Sequence, residues 1–113
     1  MAKNPKWGKE EEILLLNLYL KIRGDRYTED HPDIIFLSQL LNKRAHALGI
    51  KINANYRNKT GIFMKLKNIQ SIDPNSETDL PNYSSMDEYV WAEYSSDKNS
   101  LENICQEITN KYK

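Results

Sequence analysis

Between Ile34 and Ile72 the chain has no aspartate and no glutamate. The same span carries seven bases, Lys43, Arg44, Lys51, Arg57, Lys59, Lys65 and Lys67. The segment before it, Met1–Asp33, has a formal charge of −1, and the segment after it, Asp73–Lys113, a charge of −6. The overall charge of zero therefore hides one strongly positive third. Asymmetry of this kind predicts an anionic partner better than the total charge does.

Other scarcities narrow the chemistry. A lone Cys105 excludes an internal disulfide and fits a reducing cytoplasm. Four glycines, scattered, leave no phosphate-cradling loop. The longest apolar run, Ile13–Leu20, is interrupted by Asn17 and is too short to cross a membrane. The charged start, MAKNPKW, does not read as a signal peptide, so the expected location is cytoplasmic. The two histidines, His31 and His46, lie fifteen positions apart, without zinc spacing. His31 with Asp30 and Asp33 reads as a surface turn before a weak metal site. Serine, histidine and acid occur without the context of a catalytic triad. The expectation is a chain that is not an enzyme, with no catalytic residues, no metal ligands and no cofactor.

What is present is a helical pattern. The 113 residues include seven Tyr, two Phe and two Trp, enough for one modest core. Gly8 caps a first helix whose Glu10, Glu11 and Glu12 complement the dipole. Its residues Ile13–Leu16, Leu18–Leu20 and Ile22 surround it on nearly every side, the mark of a central helix. Gly24 is expected as its C-terminal cap. Pro32 opens a second helix, with Ile34, Phe36, Leu37, Leu40, Leu41 and Leu48 inward and Gly49 as its limit. Ile50–Asn53 alternates like a short extended piece. Asn58 caps a third helix with Ile62, Phe63, Leu66 and Ile69 on its apolar face, ended by Asp73-Pro74-Asn75. A loop containing Pro81 follows. Ser85 and Glu88 form a capping box for a fourth helix with Tyr89, Val90, Trp91 and Tyr94. A fifth begins near Asp97–Asn99 and keeps Leu101, Ile104, Cys105, Ile108 and Tyr112 in helical register. The fold expected is all-α, a compact single domain over residues 1–113 of about five helices, helix-turn-helix-like.

The third helix has an uncluttered second side. At about 100° per residue, Thr60, Gly61, Met64, Lys67, Asn68 and Ser71 fall opposite its apolar face, with Lys65 on a flank. That side suits a helix that reads a DNA groove. Gly61 permits close approach, Asn68 carries the amide geometry that reads adenine, and Met64 meets a methyl group. Arg57 reaches phosphate or guanine, while Lys43, Arg44, Lys51, Lys59, Lys65 and Lys67 hold phosphates. The plain alternative is a solvated lysine face, with Asn58 serving only as a cap.

Three groups of residues carry a resemblance. They are Asn4-Pro5-x-Trp7 with Leu18-Tyr19, the stretch YRNKTGIFMKLKNI from Tyr56 to Ile69 followed by Asp73-Pro74, and Asp87-x-x-Val90-Trp91-x-x-Tyr94. Together they resemble the N-terminal domain that precedes the nuclease in prokaryotic HNH restriction endonucleases directed at modified DNA. The resemblance implies a recognition module for double-stranded DNA in a restriction system, with an HNH nuclease domain in cis doing the cutting. Arg57, Asn58, Gly61, Met64, Lys65 and Asn68 are the positions that match its middle motif. No HNH module lies within these residues. Two other classes stay open: a protein-interaction domain in which the positive third docks the negative third of another copy, and an RNA-binding domain with aromatics such as Tyr56 stacking on unpaired bases.

Overall fold

The computed structural model describes residues 4–76 and 82–113. They form five helices and no strand: α1 (Lys9–Ile22), α2 (Pro32–Ala47), α3 (Lys59–Ile72), α4 (Ser85–Tyr94) and α5 (Lys98–Tyr112). The all-α architecture is as expected. The Pro81 loop lies outside the described residues.

The hydrophobic girdle of α1 dictates its place. Ile13 to Leu16, Leu18, Tyr19 and Ile22 are all buried, and α1 packs against each of the other four helices. The remaining helices each supply one stripe to this axle: Ile34, Leu37, Leu40, Leu41 and Ala45 from α2, Ile62, Leu66 and Ile69 from α3, Val90 from α4, and Leu101, Cys105 and Ile108 from α5. The Cys105 thiol is buried against α1, its Sγ 3.5 Å from the carbonyl oxygen of Ile13, and burial pushes its pKa up to about 12.

Several local expectations need correcting. Gly24 is not a left-handed cap. The C-cap of α1 is Arg23, in right-handed conformation (φ −59°, ψ −21°), and the only described glycine with positive φ is Gly49, at 68°, where α2 stops. Phe36 and Leu48 are not core residues, being 50% and 49% exposed. Phe36 lies across the helix from the Ile34–Leu37–Leu41 stripe, and Leu48 is the C-cap, beyond the last buried residue. Residues 50–53 form no strand among the described residues. Asn53 is instead tied to the N-terminal arm by reciprocal 3.0 Å hydrogen bonds with Asn4. The capping box of α4 is Ser84 with Asp87, one residue earlier than Ser85 with Glu88. Asp87 is preferred because its carboxylate, fully buried, is also anchored to Lys65.

The helix-turn-helix comparison is looser than expected. The connection from α2 to α3 spans residues 48–58, far longer than the three- or four-residue turn of that motif. The one tight helix pair, α4 and α5, is joined by residues 95–97. Residues 85–113 carry six acids and three bases, the wrong sign for a duplex.

Candidate nucleic-acid interface

α3 forms where Asn58 accepts a 2.8 Å hydrogen bond from the Gly61 amide, satisfying a free donor of the first turn. Gly61 is explained by the same contact. A Cβ there would come within 3.1 Å of the Asn58 side-chain oxygen, so glycine leaves room for the cap. On the outward side, Met64 is 56% exposed, Lys67 is exposed, and Asn68 is half-buried.

The bases of the acid-free span divide into two sets. Three are consumed by the first turn of α1. Arg44 Nε lies 2.7 Å from Glu10 Oε1. Arg57 grips Glu11 with Nε at 2.6 Å and Nη2 at 3.2 Å. Lys65 Nζ lies 3.1 Å from Glu12 Oε1 and 2.6 Å from Asp87 Oδ1. Consecutive glutamates thus each hold one cation from the positive third. The sequence reading of Glu10–Glu12 as a helix start missed this, and it corrects Arg57 and Lys65 as residues facing a ligand. Both serve the fold.

Arg57 is the most committed of them. Its Nη2 also donates to the Pro5 carbonyl at 2.9 Å. Its guanidinium carbon lies 4.6 Å from the Trp7 ring centre and 4.4 Å from that of Tyr56, within cation–π range. Its backbone has φ +45°, a region that non-glycine residues seldom occupy. Burial raises the pKa of Glu11, but the Arg57 and Gly8 hydrogen bonds outweigh it and leave the carboxyl below its usual range.

Glu12 behaves oppositely. Burial and the Asp87 carboxylate beside it push its pKa up to about 8, against the attraction of Lys65. Neither Glu12 oxygen accepts a well-directed hydrogen bond. A neutral Glu12 whose proton faces Asp87 resolves both facts, since an ionised and unsatisfied buried carboxylate is costly. Asp87 remains ionised: burial raises its pKa, and hydrogen bonds from Glu12, Lys65 and the Ser84 amide more than reverse the effect.

The second set is available. Lys43, Lys51 and Lys67 make no ion pair among the described residues, whereas Lys59 is paired with Asp30. Thr60 donates to Glu29 at 2.8 Å. The first turn of α3 is therefore bridged to acids from the α1–α2 connector, although Lys59, Thr60 and Gly61 themselves stay exposed.

Beside the outward side of α3 lies an open cleft of about 380 Å³, lined by residues that include Arg23, Arg26, Tyr27, Phe63, Lys67 and Gln70. Tyr27 and Phe63 meet edge to face, with centroids 5.9 Å apart, and Lys67 Nζ stands 4.8 Å over the Phe63 ring. Arg23 reaches Asp73 through Nη1 at 3.2 Å. Arg26 is exposed and makes no ion pair among the described residues. Lys43 and Lys51 are not part of this cleft. The connector arginines were overlooked because the first third is charge-balanced; the available signal was Arg23, Arg26 and Tyr27 clustered around Gly24.

Among the described residues no three His, Cys, Asp or Glu side chains group as metal ligands. His31 caps α2, its Nδ1 accepting from the Asp33 amide at 3.0 Å. No helix in the described residues is long and apolar enough to cross a membrane. Compared with protein-family models, characterised proteins and solved structures, the chain matches none.

Proposed function

We propose that this domain binds double-stranded DNA along the outward side of α3, acting as the recognition module of a restriction endonuclease whose HNH domain does the cutting. The restriction context rests on the resemblance of the three motifs. The DNA reading rests on one observation: Arg23, Arg26 and Lys67 converge on a cleft beside exposed Met64, and Lys67 belongs to both surfaces. Lys67, Arg26 and the free nitrogens of Arg23 hold phosphates, while Met64 and Asn68 meet base edges. Anisotropy of a labelled short duplex at low salt tests it. Binding that falls linearly in log–log fashion with salt is expected. No binding at low salt overturns the reading, and tighter binding of competitor RNA reassigns the polymer.

A second reading has its own observation. Ile35 and Phe36 expose adjacent apolar surface on α2, which favours contact with a protein. Sedimentation without nucleic acid distinguishes the two, since only protein contact between copies predicts self-assembly.

A further inference from the structure

We infer that the cleft between the α1–α2 connector and α3 receives a single nucleotide displaced from the base stack of a DNA strand. This rests on the DNA-binding reading of α3 and adds a second element to it, a receptor for one nucleotide out of the stack.

The chemistry of the walls points to that ligand. An inorganic anion would need only cations, yet this cleft has an aromatic side. The Phe63 ring packs against the core and has Lys67 Nζ 4.8 Å from its centre, so one face is turned to a side-chain cation. Such a face accepts a stacked base of any identity. Tyr27 braces the ring from the connector at 82° to its plane. Arg23, Arg26 and Lys67 supply three positive charges, one of them paired with Asp73, against the carboxylate of Asp25 on the same lining. Arg23 uses only Nη1 on Asp73, leaving its other nitrogens for a phosphate. Gln70 and Asp25 offer donor and acceptor groups to the polar edge of a base.

Size and position agree. A volume of about 380 Å³ falls at the lower end of the usual range for small-molecule sites, roughly 300–1,000 Å³. A duplex laid along Met64 and Lys67 brings its backbone to the mouth of the cleft. Extrusion costs least where a nucleotide is already unpaired, so the site prefers a bulged duplex to a fully paired one.

The test compares the affinities of a fully paired duplex and the same duplex with one bulged nucleotide. The bulged duplex is expected to bind roughly 10-fold tighter, the scale of one base–aromatic stack. Phe63→Leu keeps apolar volume without a ring and should bring the ratio to one, whereas Phe63→Tyr should retain it. A ratio of one in the unaltered protein, or a ratio that survives Phe63→Leu, overturns the nucleotide site while leaving DNA binding in place. Binding of neither duplex removes the DNA reading and this inference with it. A deoxynucleoside monophosphate that binds as tightly as the bulged duplex also overturns it, since the site would then serve free nucleotides.

Discussion

Arg57 and Glu11, forty-six residues apart, are joined by two nitrogen–oxygen contacts in the interior. Tyr56 adds a hydroxyl bond to the same carboxylate at 2.9 Å. Removing one member of a buried ion pair leaves the other uncompensated, at a cost of about 3–5 kcal/mol. Glu11→Ala and Arg57→Ala should each lower stability on that scale in urea titrations. Arg57→Lys should restore little, because an ammonium cannot form the fork. If either alanine variant is as stable as the parent, the pair does not hold the arm and α3 to α1.

Glu12 should make stability fall as pH rises. Its pKa is about 8 in the folded chain and near the ordinary carboxyl value, about 4.3, in the unfolded one. Between those values the folded state binds more protons than the unfolded state, so raising the pH favours unfolding. The slope for this one group is at most about 1.4 kcal/mol per pH unit. Glu12→Gln keeps the shape without the titration. The stability of this variant relative to the parent should therefore grow from pH 5.5 to 8 and then level off. A difference independent of pH would mean that Glu12 is ionised inside the fold.

Salt dependence of DNA binding counts the cations that are free. All seven bases of the acid-free span at phosphates would give a log–log slope of about −6. With Arg44, Arg57, Lys59 and Lys65 already paired and Arg23, Arg26 and Lys67 at the phosphates, roughly −2 to −3 is expected. Lys67→Ala and Arg26→Ala should each make the slope shallower by about one, with thermal melting unchanged. A slope near −6 would show that the internal pairs open on binding.

Two apolar residues of similar helical context should differ sharply on truncation. Leu66, fully buried, should cost about 2–5 kcal/mol as alanine. Phe36, half exposed, should cost well under half as much, and Phe36→Lys should leave the fold intact. Equal losses at both positions in denaturant titrations would place Phe36 in the core after all.

Helical periodicity made the five helices and the axial role of α1 legible, because a residue's azimuth follows from its number. The same logic failed at Phe36, where an apolar residue sits on the wrong azimuth, and at the cap of α4, where Ser84 and Ser85 compete and only the anchor at Lys65 decides. Charge was the weaker guide. A run of bases without acids describes the chain and not the folded surface, since Glu10, Glu11 and Asp87 come from outside the run to pair Arg44, Arg57 and Lys65. Arg26 and Phe63 lie far apart in sequence, so the cleft they share emerges only once the connector folds against α3.

The single thiol has a practical corollary. With Cys105 buried against α1 at the floor of a surface cleft, an alkylating reagent reaches it slowly until the last helix lifts away. The rate of labelling under native conditions is therefore an intrinsic clock for undocking of the C-terminal segment, readable by mass without any engineered probe. Ligands that steady the bundle should slow that clock.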